Sequence, residues 1–159
     1  MTDVSTTTEP TKDGKTIELL SFLVSGQDYC VDIMSVREIR GSARATPLPH
    51  SPAYIRGVIN LRGAVLPIMD LSARLDLQSA TDTSRNVIIV VSTHDRTVGL
   101  MVDAVSDILA LPESKLQSPP EMPSDEGRAF ISALTIVDDR MIRVLDLSAI
   151  LPTANEDAA

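Results

Sequence analysis

Two stretches of this chain repeat one another, and that repetition restricts its fold more than any local propensity does. "LPIMDLSARL" (66–75) and "IRVLDLSAIL" (142–151) share Asp, Leu, Ser, Ala and Leu at corresponding positions, 76 residues apart. Upstream, "VDIMSVREI" (31–39) and "GLMVDAVSDI" (99–108) match at an offset of 69, pairing Ile33 with Val102, Val36 with Val105, Glu38 with Asp107 and Ile39 with Ile108. A small unit used twice is expected to pack against its copy about a pseudo-twofold axis. A chain of 159 residues holds two such units and a real core. The expected arrangement is two alike half-domains of about 65 to 70 residues, each a small barrel, dividing near residues 80–85.

The units read as all-β. Segments rich in Val, Ile and Leu, among them "ELLSFLV", "YCVDIM", "GAVLPIMDL", "NVIIVVS", "TVGLMVDAV" and "RMIRVLDL", alternate with Gly, Pro, Asp and Ser punctuation and read as short strands. "SGQD" (25–28) and "STHD" (92–95) read as hairpin turns, and "VDDR" (137–140) precedes the last strand. Alternation within the second-half strands assigns Ile88, Val90, Leu100, Val102, Ile142 and Val144 to the core. From Pro112 to Arg128, four prolines rule out a regular element and predict a long connection with one helical turn. The folded part is expected over residues 16–151, with a disordered polar tail at 1–15 and a flexible one at 152–159.

The N-terminus has no apolar run of signal-peptide length, and the longest aliphatic run, "VIIVV", falls far short of a membrane span. A cytoplasmic protein without direct membrane insertion is expected. Cys30 is the one cysteine, so no intramolecular disulfide is possible, and it reads as a small buried hydrophobe. The formal charge of −8 argues against a general nucleic-acid binder. Residues 1–80 carry 8 basic and 9 acidic side chains, residues 81–159 carry 6 and 13. Within Arg37–Arg62 the sign reverses, with Arg37, Arg40, Arg44, Arg56 and Arg62 facing only Glu38. That strip reads either as a solvated rim or, more sharply, as a docking surface. Its alternative, a small β-barrel nucleic-acid-binding protein using the Arg37–Arg62 strip, lacks the aromatic platform of such folds, because Phe22, Phe130, Tyr29 and Tyr54 are the only aromatics.

Each "DLSA" copy follows an apolar strand, so Asp70 and Asp146 are expected to cap the short helices that follow. Neither has a companion base, nucleophile or metal cluster in the sequence. His50 and His94 are isolated, no Gly-rich phosphate loop is present, and no catalytic, cofactor or metal site is expected. In "YIRGVINLRG" (54–63), Gly57 and Gly63 read as the glycines of a tight turn beside Asn60. A turn does not require arginine, which leaves Arg62 free for docking. If "SVREIRG" is a strand, Val36, Glu38 and Arg40 share one face, and Glu38 can pair with Arg62 across neighbouring elements.

"VDIMSVREIRG", "PLPHSPAYIRGVINLRGAVLPIMDLSARL" and "VGLMVDAVSDILAL" together resemble the CheW family, over nearly all of residues 17–151. The resemblance implies two SH3-like five-stranded β-barrels enclosing a hydrophobic groove. It further implies a non-enzymatic adaptor of bacterial chemosensory arrays, without a cofactor. Its partners would be the cytoplasmic tips of methyl-accepting chemoreceptors and the C-terminal regulatory domain of the histidine kinase CheA, which has the same fold. On that resemblance Ile33, Val36, Glu38, Asn60, Leu61, Arg62, Val102 and Val105 form the receptor-binding groove and its margin. The outer ends of the barrels would meet the kinase domain, and other CheW copies in array rings. The protein would be cytoplasmic, recruited to membrane-associated arrays, and would bind no nucleic acid.

Overall fold

The computed structural model describes residues 15–77, 86–93, 96–119 and 130–151. The two expected tails except Lys15, His94 and most of the proline-rich connection lie outside these residues.

Ten strands follow the chain order β1 (Thr16–Val24), β2 (Gln27–Asp32), β3 (Val36–Gly41), β4 (Ile55–Leu61), β5 (Ala64–Asp70), β6 (Val87–Ser92), β7 (Thr97–Val102), β8 (Ala104–Pro112), β9 (Ile131–Val137) and β10 (Arg140–Leu145). Single-turn helices α1 (Leu71–Arg74) and α2 (Leu147–Ile150) follow β5 and β10, and 3-10 turns lie at Ile33–Ser35 and Glu113–Lys115. The second of these is the helical turn expected within the proline-rich connection.

The strands form two five-stranded sheets, SH3-like and related by the duplication. One is ordered β8-β1-β2-β10-β9, the other β3-β6-β7-β5-β4. Moving each strand five places along the chain converts one order into the other. Each sheet contains one parallel pair, β2 with β10 and β5 with β7, and the isolated bridges Thr46 to Val58 and Gln117 to Leu134 also correspond. The expected division near 80–85 lies outside the described residues. Each sheet takes two strands from one repeat and three from the other, and residues 80–85 fall between β5 and β6 of the same sheet. The chain changes sheets at the 3-10 turn after β2 and at Asp103 after β7. Asp103 fixes the second crossing: its N–H donates to Leu23 O at 2.9 Å, and its Oδ2 accepts from Ser25 N at 2.9 Å.

Exchange of strands explains why the apolar runs are continuous rather than alternating. Leu20, Phe22 and Val31 of one sheet meet Ile89, Val91 and Leu100 of the other in a central cluster. The opposite faces of the same strands fill the barrels, Leu19, Cys30, Ile142 and Val144 in one and Leu66, Ile68, Ile88 and Val90 in the other. All six residues assigned to the core by alternation are buried, but they divide among three clusters. Each such aliphatic side chain contributes about 1.5–3 kcal/mol by leaving water.

Near the pseudo-axis, Asp70 N donates to Tyr54 O at 2.7 Å and Asp146 N to Phe130 O at 2.9 Å. Arg74 breaks the symmetry there. Its Cζ lies 4.3 Å from the Tyr54 ring centroid and 5.0 Å from that of Phe130, while its Nε donates to Ile150 O at 2.9 Å.

Burial pushes the Cys30 thiol up to about 12. Thiolate, the reactive form, is therefore scarce at mild pH. Native protein should resist alkylation at pH near 8, and the denatured chain should react at the ordinary rate of a free cysteine. Equal rates in the two states would mean that the barrel opens readily.

Candidate functional site

The segment "YIRGVINLRG" folds as β4 and its hairpin into β5. Arg62 and Gly63 are the two turn residues, with φ of 53° and 84°, flanked by the pair Leu61 and Ala64. Positive φ at both central positions is the turn whose twist matches that of the strands. Asn60 Oδ1 accepts from Gly63 N at 3.0 Å, so this predicted margin residue also braces the turn. Gly57 departs from expectation. It lies within β4 at a register shift between Ile55 and Gly57 that leaves Arg56 as the extra residue, away from the hairpin turn. A bulge of this kind re-aims a side chain. Here Arg56 Nη2 reaches Asp70 Oδ2 at 2.9 Å.

Glu38 and Arg62 do meet. Arg62 Nη2 donates to Glu38 Oε1 at 2.6 Å, and Arg40 Nη1 lies 3.5 Å from Oε2. The hydrogen bond from Arg62 holds the Glu38 carboxyl below the usual glutamate range, so the pair is fully charged at neutral pH. Arg62 is 71% exposed and Glu38 24%, which makes the arginine the accessible half of the pair.

The predicted sharing of one face by Val36 and Glu38 does not hold. A register shift between them pairs Val36 with Val91 and Glu38 with Val90, on opposite faces of the sheet. Val36 consequently packs on the central cluster with Ile33 and Val105, each half-buried, whereas Val102 lies 1% exposed beneath them. Leu61 packs on the core of its own barrel. The predicted residues thus form two groups, an apolar set over the central cluster and a charged set around Glu38 and Arg62. Sequence reasoning passed over Met34 and Ile39, 81% and 47% exposed on the same stretch.

The two barrels present different outer ends. One carries Ile39 and Val65 exposed, with Arg40 and Arg62 beside them; its counterpart carries Ile108, Ile136 and Met141 exposed, with Asp107 and Asp138 at the positions of Glu38 and Arg62. Both ends are apolar with charge of both signs, since Glu38 lies between Arg40 and Arg62 at one, and Lys115 lines the groove of Ile108 and Ile136 at the other.

Neither DLSA carboxylate is arranged for catalysis. Asp70 and Asp146 both accept from the N–H and hydroxyl of the serine two residues on, as expected of helix caps. Asp70 additionally holds Arg56 and is buried. Asp70→Ala should therefore cost about 1.5–3 kcal/mol, the range for hydrogen bonds to a charged group, against about 1 kcal/mol for Asp146→Ala, a cap alone. Urea unfolding of both variants checks this, and equal losses would contradict it. Among the described residues no group of three His, Cys, Asp or Glu is placed to hold a metal ion, and His50 is exposed. No helix among them is long and apolar enough to cross a membrane. The nucleic-acid alternative gains no support from the strip, since Arg40, Arg56 and Arg62 are engaged by carboxylates.

Comparison with known proteins follows this geometry. The sequence model of the CheW-like domain matches residues 18–155. The chemotaxis protein CheW of Rhizobium meliloti (strain 1021) is 51% identical over 142 residues, 89% of this chain and 92% of that protein. The chemotaxis protein CheW of Bacillus subtilis (strain 168) is 32% identical over 142 residues, 89% and 91% of the two chains. The crystal structure of the scaffolding protein TtCheW from Thermoanaerobacter tengcongensis superposes with a TM-score of 0.80 at 28% identity, covering 88% of this chain and 95% of that one.

Proposed function

The chain belongs to the CheW family of chemotaxis scaffold proteins, and from that membership we propose that it couples chemoreceptor cytoplasmic tips to the histidine kinase CheA, without catalysis of its own. The observation that carries the reading is the half-buried apolar set Ile33, Val36 and Val105 over the central cluster. An amphipathic receptor helix lays its apolar side chains on such a surface, while the cluster of Glu38, Arg40 and Arg62, turned to the other face of β3, offers a separate charged contact. The regulatory domain of the kinase, and other copies in array rings, take the outer ends. There, exposed isoleucines beside charged side chains suit such contacts. The protein works in the cytoplasm and joins membrane-associated arrays through these partners.

Separate pull-downs with a receptor cytoplasmic fragment and with the C-terminal domain of CheA test this reading. Val36→Asp should lose the receptor fragment and keep the kinase domain, and Ile136→Asp should do the reverse. Loss of both partners by each variant, with the fold intact, would refute two separate surfaces; wild-type protein that binds neither would refute the adaptor role.

A further inference from the structure

The duplication puts the same carboxylate at the same point of each barrel, and among the described residues only one of the two has a cation. Asp70 Oδ1 accepts from Ser72 N at 3.1 Å and from Ser72 Oγ at 2.6 Å, and Oδ2 takes Arg56 Nη2 at 2.9 Å. Asp146 Oδ1 repeats the first two bonds, from Ser148 N at 3.1 Å and Ser148 Oγ at 2.6 Å. The place of Arg56 is taken by Ser132, 76 residues on. Both are the extra residue of a bulge, since the register shift that skips Arg56 in β4 recurs at Ser132 in β9. Ser132 is too short to reach the carboxylate and donates to Val144 O at 3.3 Å instead.

Beside Asp146 there is a cavity of about 480 Å³. Asp32 and Glu113 line it together with Asp146, over an apolar floor of Ile17, Leu19, Leu116 and Val144. Among the described residues none of these three carboxylates is in an ion pair. Carboxylates above an apolar floor suit a side chain with an aliphatic stem and a forked cationic head. The other barrel shows which head the carboxylate takes when one is supplied from within the chain.

We propose that this cavity seats an arginine side chain supplied by a partner protein, in the position beside Asp146 that Arg56 occupies beside Asp70. The site goes beyond the adaptor surfaces argued above. It uses neither the Glu38–Arg62 pair nor the outer isoleucines. Oδ1 of Asp146 is taken by Ser148, so the guanidinium would meet Oδ2, as Arg56 meets Asp70, and its planar head fixes the orientation of the chain that carries it.

The test is a titration of the full isotope-labelled chain, followed at the Ser148 backbone amide, with N-acetyl-argininamide and with its neutral isostere N-acetyl-citrullinamide. The arginine compound should shift Ser148 saturably, and the citrulline compound should bind about tenfold more weakly or not at all. Asp146→Asn keeps a capping oxygen and so keeps α2, but it should lose the response. Ser132→Arg rebuilds the cation of the other barrel in place and should block the probe while the remaining amide spectrum stays native. The same variant should weaken binding of one protein partner about tenfold. Equal response to both compounds, or a response that survives both substitutions, overturns the site. A Ser132→Arg protein that binds every partner as the wild type does overturns the partner as the source of the arginine. Ser148 shifts that grow with protein concentration alone, and vanish in Ser132→Arg, would assign the arginine to a second copy and likewise overturn the proposal. The titration needs neither receptor nor kinase, so it can fail while the adaptor reading stands, and the reverse.

Discussion

Gly57→Val is expected to yield no folded protein, and the cause is a crossing of two backbone segments rather than a turn. Gly57 has φ of 145°, a conformation that side chains with a Cβ rarely adopt. A Cβ built there would lie 2.3 Å from Thr46 O, 2.6 Å from Thr46 C and 2.9 Å from Pro47 N. These are backbone atoms, and they are held in place: Thr46 N donates to Val58 O at 2.8 Å and Val58 N to Thr46 O at 2.9 Å. Relief of the clash breaks both bonds and frees the segment that runs beside β4. The combined loss exceeds about 4 kcal/mol, a level that few mechanisms reach, out of a total of about 5–15 kcal/mol for a domain. Gly63→Val should behave differently. Its φ of 84° strains any replacement, but a Cβ meets nothing within 4 Å, so the cost is the backbone term of about 1–3 kcal/mol. Thermal melts of the two variants separate these cases. A Gly57→Val protein melting within about 5 °C of wild type, the shift produced by a kilocalorie or two, would contradict the account.

That contrast marks how far the sequence could be read. The expectation grouped Gly57 with Gly63 as one turn, because glycine beside asparagine signals a turn and nothing local signals a bulge. What Gly57 avoids is Thr46, and the sequence holds no sign that residues 46 and 58 are bonded neighbours. The same limit misplaced Val36. Strict alternation put it beside Glu38, whereas the register shift in β3 turns it to the central cluster, and a shift is a property of the partner strand as much as of its own. The duplication, in contrast, was legible, because Asp70 and Asp146 recur with their serines and with the apolar strands that precede them. Its consequence was not. Nothing in the repeat says whether a unit closes on itself or exchanges strands with its copy, since both solutions bury the same residues. Glu38 with Arg62 was readable because their chemistry is complementary and the arginine served no turn requirement. That Ser132 matches Arg56 follows from the register shifts in β9 and β4, which the repeat alone does not reveal.

Arg62→Asn is expected to give a protein at least as stable as wild type that has lost its docking margin. Arg62 holds φ of 53° at the first central position of a turn that favours Asn followed by Gly. An arginine there strains the backbone, and asparagine would suit the turn better. What the arginine provides is its guanidinium, 2.6 Å from Glu38 and 71% exposed to an incoming chain. Exposed pairs of this kind add little to stability, so their removal should leave the melting temperature level or raised. Receptor or kinase binding should fall about tenfold or more. Exchange of the two charges, Glu38→Arg with Arg62→Glu, sharpens the test, because it restores an ion pair with its polarity reversed. The exchanged protein should melt close to wild type and still bind poorly, since a partner reads the sign of the exposed charge and not the existence of a pair. Normal binding by Arg62→Asn would return the whole hairpin to a structural role. Recovery of binding in the exchanged protein would mean that Glu38 and Arg62 serve only to hold β3 against the hairpin.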